Sequence, residues 1–308
     1  MNETIAVSNT DLVKSVESLG RWIGGTPLFP LRHFSTEKVK IFAKLEWQQF
    51  GGSVKSRPAY NMLRQAIHSG ELQPHHTILD ATSGNTGIAL ATIAASLGQK
   101  IKLVMPGNAS KMRQQILKKL GAELVLSSPY GGTDESRQLA LEIYAKMDRP
   151  YFYCDQYNNE NNWKAHYNTT APEIWRQSAG MITHFVAGLG TTGSFTGTSK
   201  RLKIYNPDLR CIALQPDGPL HGLEGWKHLE TAEIPGIYDP STPDQILQIS
   251  SYDAFKLIDE VAKKDGLLIS PSAAANLTGA LQIARTIEEG TIVTLFADDA
   301  SKYQEVYK

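Results

Sequence analysis

A lysine becomes a reagent only when its surroundings lower its pKa and hold it against an electrophile. Lys55 has a setting suited to that. It lies in Phe50-Gly51-Gly52-Ser53-Val54-Lys55-Ser56-Arg57-Pro58, a glycine turn that opens onto an amphipathic run from Ala59 to Ile67. Pro58 fits the first turn of a helix, where a missing N–H costs nothing, and Ser53 can cap open amides. The positive end of that helix dipole disfavours the ammonium. A solvated lysine after a tight turn is the competing reading of the same residues.

Three more turns stand at strand-to-helix junctions, where backbone N–H groups and a helix dipole favour an anion. Thr82-Ser83-Gly84-Asn85-Thr86-Gly87 combines hydroxyls, an amide and flexible backbone; it suits a carboxylate or phosphate, or a capped helix start. Gly188-Leu189-Gly190-Thr191-Thr192-Gly193 has the GxGxxG spacing of a dinucleotide site. Such a site also needs an acid at the end of the next strand, about 20 residues on. This chain has Gln215-Pro216 there, and Asp208 falls before the strand. With Thr191, Thr192 and Ser194 around its glycines, the turn reads as a cup for a terminal phosphate. The third turn, Ser270-Pro271-Ser272-Ala273, is by itself an N-cap with proline. The histidines show neither HExxH nor i, i+4 pairing, so no metal site is expected. GxSxG and GxxxxGK[ST] are absent.

The elements that must position these turns alternate. Val39 to Leu45, Thr77 to Ala81, Lys102 to Met105, Leu124 to Leu126, Met181 to Ala187, Arg210 to Gln215, Leu267 to Ile269 and Thr291 to Phe296 read as strands. Helical runs follow most of them, including one holding both Trp163 and Trp175. Strands alternating with helices imply α/β architecture with mostly parallel sheets covered on both faces. Residues 216–243 hold five prolines, four glycines and little periodicity, which is the pattern of a lid or site loop.

The chain has 308 residues, 41% hydrophobic and 20% charged, with 31 acids balancing 31 Lys and Arg. That length predicts two domains, and the charge balance argues against nucleic acid as a partner. Cys154 and Cys211 stand alone, without metal or disulfide spacing. No run has the length of a signal peptide or membrane span, so the expectation is a cytoplasmic protein acting on small molecules.

A reactive lysine, a phosphate cup, a carboxylate loop and a hydroxyl at another strand end are together what pyridoxal 5'-phosphate requires. A neutral serine at the ring nitrogen makes the ring a weaker electron sink than an aspartate does, which favours elimination over transamination. In their order, GGSVKSRP, TSGNTG and the cup resemble the cysteine synthase family of fold-type II pyridoxal phosphate enzymes. The resemblance extends from Gly24-Gly25-Thr26-Pro27-Leu28 to Asp298-Asp299-Ala300-Ser301-Lys302-Tyr303. It implies a tryptophan synthase β-like fold of two domains: a smaller mobile one over 44–149, and a larger one from 1–43 plus 150–308. It also implies that Lys55 forms the Schiff base and then takes the α-proton. Asn85 would meet the ring hydroxyl; Gly190, Thr191, Thr192, Gly193 and Ser194 the phosphate; and Ser272 the pyridine nitrogen. Thr82, Ser83, Gly84, Asn85, Thr86 and Gln156 would receive the substrate carboxylate.

The implied reaction is β-replacement on O-acetylserine or O-phosphoserine by a sulfur donor, through an aminoacrylate. The implied assembly is a homodimer, with serine acetyltransferase or a sulfur-carrier protein as possible partners. Alternatives are cystathionine β-synthase-like chemistry, 2,3-diaminopropionate formation, or a non-catalytic binding protein on the same fold.

Several positions depart from the family pattern. Gln49-Phe50 stands for Asn-Pro, Ser56 for Asp, Asn159-Glu160 for Asn-Pro, and Ser270 to Ala275 for GxSxGA. The cup reads GTTGS where acetylserine-using members read GTGGT, and it looks more like the phosphoserine-using members. A doubly charged leaving group needs a cation. Lys227, with His221 or His228 nearby, can supply it, or is an exposed lysine on a loop.

Overall fold

Parallel strands covered by helices on both faces must be apolar on both sides. Thr77–Ala81 is buried along its whole length, and Lys100–Pro106 at every residue after the first. The computed structural model describes residues 8–82, 84–146 and 150–303. In chain order its elements are α1 (Asn9–Leu19), β1 (Leu28–Pro30), β2 (Val39–Leu45), α2 (Ser56–Ser69), β3 (Thr77–Ala81), α3 (Asn85–Leu97), β4 (Lys100–Pro106), α4 (Lys111–Lys119), β5 (Glu123–Ser127) and α5 (Gly132–Lys146). There follow β6 (Tyr151–Tyr153), α6 (Asn161–Asn168), α7 (Thr170–Gln177), β7 (His184–Gly188), α8 (Gly193–Tyr205), β8 (Arg210–Pro216), β9 (Gln245–Ile249), α9 (Ser251–Asp265), α10 (Pro271–Ala284) and β10 (Gly290–Phe296).

Two sheets result. The larger runs β1-β2-β10-β7-β8-β9, antiparallel only between β1 and β2. The smaller runs β5-β4-β3-β6 and is parallel throughout. Ile41, Ile212 and Ile292 pack with Ala273 and Leu277 of α10 and Ile258 of α9 on one face of the larger sheet. Phe185 and Val293 pack with Phe195 of α8 and Ile174 of α7 on the other.

Three elements depart from the expected boundaries at 43/44 and 149/150, the first being β2, which runs to Leu45 within the larger sheet. Strand β6 pairs with β3 and so extends the smaller sheet to Tyr153. Helix α1 places Leu12 and Val16 among Ala59, Leu63 and Ile78 of that sheet's core. An apolar pair at i, i+4 is buried wherever it finds a partner face, and here that face is α2.

Local readings also shift. Leu267 to Ile269 is not a strand; only Ile269 bridges, to Asp299, because Gly266 ends α9 just before it and Ser270 caps α10 just after. The run holding Trp163 and Trp175 is two helices. Pro172 has no N–H for the carbonyl of residue 168, and the chain breaks at Thr169 (φ −125°). Residues 217–244 contain neither helix nor strand.

Candidate active site

The carboxyl ends of β3, β7 and β10 point at one cavity of about 250 Å³, the usual place for a ligand in open α/β sheets. Lys55, Thr82, Gly84, Asn85, Thr86, Gln156, Gly190, Thr191, Ser194, Lys227 and Ser272 all line it. Of the remaining expected residues, Thr192 and Gly193 form the N-terminus of α8 directly behind that lining, and Ser83 lies outside the described residues.

Lys55 is the N-cap of α2, with helical backbone (φ −75°). Ser53 Oγ accepts from its backbone N–H at 3.3 Å. Burial pushes its ammonium below the ordinary lysine range, with the carboxylates of Asp298 and Glu46 opposing. Of the departures around it, Gln49 has structural partners, while the buried Ser56 hydroxyl has none. Gln49 donates to the Ser53 carbonyl at 3.2 Å and accepts from Gly24 N–H at 2.9 Å, which ties the turn down. Ser56 is fully buried under Gly51, where a Cβ would come within 2.6 Å of its hydroxyl. Two residues beyond Lys55, Arg57 binds Glu46 and Glu173 with four short hydrogen bonds of 2.7 to 2.8 Å.

The carboxylate loop is held from both ends. Thr82 Oγ1 accepts from the N–H groups of Gly84 and Gly87, both at 3.2 Å. Thr86 donates to Gln156 Oε1 at 2.8 Å, and Gln156 Nε2 donates to the Ala81 carbonyl at 2.8 Å. Asn85 is oriented by residues that motif reasoning did not assign. Its Nδ2 donates to Asp298 Oδ2 at 2.7 Å, and its Oδ1 accepts from Lys302 Nζ at 3.1 Å. A carboxylate can only accept and an ammonium can only donate, so the amide has one allowed orientation. One Nδ2 hydrogen is left for a ligand. Asp298 is fully buried; it also accepts from the Tyr303 hydroxyl at 2.8 Å and lies 3.5 Å from Ser272 Oγ. Asp298, Lys302 and Tyr303 fall inside the C-terminal segment of the resemblance, which is the signal that marks them.

The cup is built for close approach. A Cβ on Gly190 would lie 2.0 Å from the Gly225 carbonyl oxygen. Thr192, where the acetylserine-type pattern has glycine, adopts φ +70°, a left-handed conformation that costs a non-glycine residue about 1–2 kcal/mol. At Ser272, Ser270 caps α10 by accepting from Ala273 N–H at 3.2 Å and contacts Ser272 Oγ at 3.0 Å. Ala274, which stands for a glycine of the family's GxSxGA run, is fully buried with Ala273 and Ala275.

At the mouth, the 217–244 segment meets α4 and α5 through ion pairs: Arg113 with Glu224, Arg137 with Glu233, and Lys227 with Asp134 at 2.7 Å. Lys227 Nζ also lies 5.2 Å from the Tyr157 ring centre. Neither His221 nor His228 lines the cavity; His228 Nδ1 is 2.9 Å from Thr231 Oγ1.

Residues 19–298 match the model of the family described as "Pyridoxal-phosphate dependent enzyme". A cysteine synthase of Aquifex aeolicus is 44% identical over 94% of this chain and 91% of its own length. The chain belongs to the pyridoxal-phosphate-dependent enzymes, in the cysteine synthase family. Cysteine synthase B of Escherichia coli is 37% identical, covering 94% of each chain. The crystal structure of a cysteine synthase from Entamoeba histolytica superposes with a TM-score of 0.88 at 32% identity, over 95% of this chain and 90% of that one.

The residues present fit the family's cofactor. Thr191 and Ser194 line the cavity beside Gly190 at the start of α8, where hydroxyls and free helix N–H groups favour a phosphate. The half-buried Lys55 side chain lines the same cavity as the cup. Among the described residues, no helix is long and apolar enough to cross a membrane.

Proposed function

We propose that this cysteine synthase family member replaces the β-substituent of an O-activated L-serine with a sulfur nucleophile, taking O-phosphoserine at least as well as O-acetylserine. The observation that carries the reading is a desolvated lysine at a helix start, facing a carboxylate loop and an anion cup in one cavity. When bound, pyridoxal phosphate supplies the electron sink that lets a proton leave the α-carbon and the substituent leave the β-carbon.

The chain's own groups do the rest. A depressed pKa leaves the Lys55 amine a usable base toward the α-proton. N–H groups at the start of α3, with Thr86 and Gln156, receive the substrate carboxylate. Amides and hydroxyls over 190–194 hold the cofactor phosphate, Asn85 reaches the ring hydroxyl with its remaining hydrogen, and Ser272 faces the ring nitrogen. The C–O bond breaks and its electron pair leaves with acetate or phosphate. The incoming sulfur then forms a C–S bond at the β-carbon, and the proton held on Lys55 returns to the α-carbon.

The GTTGS cup and Lys227 at the mouth favour the phosphorylated donor. In this reading the smaller-sheet layer closes as one body on the substrate, the enzyme works as a cytoplasmic homodimer, and its two buried free cysteines suit a reducing compartment.

The test is the absorption spectrum of the loaded enzyme before and after each donor, with steady-state rates. Both donors should change the spectrum, and Lys55→Ala should abolish the change and the turnover. Spectral change and turnover that persist in Lys55→Ala would sink the mechanism. A preference for O-acetylserine unaltered by Lys227→Ala would sink the donor assignment.

A further inference from the structure

Among the described residues, five charged side chains line the cavity: Lys55, Arg113, Lys227, Asp134 and Glu224. Both cations at the mouth already hold a carboxylate, Arg113 that of Glu224 and Lys227 that of Asp134. Lys227 cannot move far from the cup, because its backbone N–H donates to the Leu189 carbonyl at 2.8 Å. Its side chain is 12% exposed, whereas that of Asp134 is 42% exposed. Asp134 can therefore turn to water at little cost, but Lys227 cannot do without a partner. Asp134 stands in the first turn of α5, where a negative charge is favoured, and its other oxygen lies 3.4 Å from Glu233 N–H.

We propose that Asp134 is a specificity-determining residue that competes with an anionic leaving group for Lys227. This rests on the reading that Lys227 faces the leaving group. A phosphorylated donor displaces the Asp134 carboxylate to reach the ammonium, while an acylated donor leaves the pair intact. The preference between donors is then set by how firmly Asp134 holds Lys227, not by the presence of a lysine alone. Asp134→Asn keeps the shape and an acceptor for Glu233 N–H while removing the charge that competes.

The experiment uses the cofactor-loaded enzyme and two readouts: the dissociation constant of inorganic phosphate by calorimetry, and the ratio of kcat/KM for O-phosphoserine to that for O-acetylserine. In Asp134→Asn, phosphate should bind about fivefold tighter and the ratio should rise by a similar factor, the scale of one partly exposed ion pair. The gain should vanish in the Lys227→Ala background, and Glu233→Gln, which removes a carboxylate outside the cavity, should not reproduce it. Unchanged phosphate affinity in Asp134→Asn, beside a clear loss of O-phosphoserine use in Lys227→Ala, overturns the competition and leaves the donor reading standing. A gain that survives in the Lys227→Ala background also overturns it, by showing a general field effect. If Lys227→Ala leaves O-phosphoserine use unaltered, the donor reading fails and the competition fails with it.

Discussion

Replacing Arg57 by methionine keeps most of the buried alkyl volume and removes the charge that ties the lysine turn to the rest of the molecule. Arg57 is 1% exposed and sits between Glu46 and Glu173, with Thr26 and Thr169 each 3.0 Å away. Burial alone would push the Glu173 carboxyl up. The hydrogen bonds and charges of Arg57 and Lys44 outweigh it and hold that carboxyl at about 2 instead of the ordinary 4.5. A displacement of that size is worth roughly 3 kcal/mol at neutral pH. Removing one partner of a buried pair costs about 3–5 kcal/mol, a large part of the ~5–15 kcal/mol by which domains are stable.

The sign follows from linkage. Glu173 has a folded pKa below its unfolded one, so its contribution is complete above about pH 4.5 and is lost as pH falls toward about 2. Arg57→Met removes much of that contribution. The stability gap between parent and variant should be widest at pH 7 and narrow toward about pH 3. Urea unfolding of the cofactor-free protein across that range measures it, and Glu173→Gln added to the variant should recover part of the loss. A gap below about 1 kcal/mol at pH 7, or one that stays constant down to about pH 3, would refute the argument.

Lys55→Met should stabilise the cofactor-free protein at pH 7, since burial lowers the lysine pKa and the unfolded chain then binds the extra proton. The advantage should fade as pH rises toward about 10, the ordinary lysine range; equal unfolding midpoints at pH 7 would contradict it. Thr192→Gly exchanges a left-handed threonine for a residue that tolerates the conformation, so the cofactor-free protein should lose no stability. Thr192 stands behind the cavity lining, so cofactor dissociation measured by dialysis and absorbance should change by less than about threefold. A cofactor affinity weakened about tenfold or more would contradict that placement.

Much of the fold was legible because parallel strands and their helices write their periods locally. β2 and β3 lie where the apolar runs place them. Short edge strands did not announce themselves: three residues of β6 and five of β9 carry too little pattern, and only pairing with β3 and β8 makes them strands. Pro172 was visible, but whether it would break or merely begin a helix depended on the backbone at Thr169.

The site divides along the same line. By itself the sequence determined the lysine turn, the TSGNTG loop and the cup, since each is a contiguous stretch whose chemistry follows from neighbouring residues and a helix start. Only the tertiary structure decided what those stretches touch. Asn85 is oriented by Asp298 from 213 residues away, Arg57 is paired with Glu173 from 116 away, and Lys227 is held by Asp134 from 93 away. A charge in a sequence has a sign but no distance, and Coulomb and hydrogen-bond energies depend on distance.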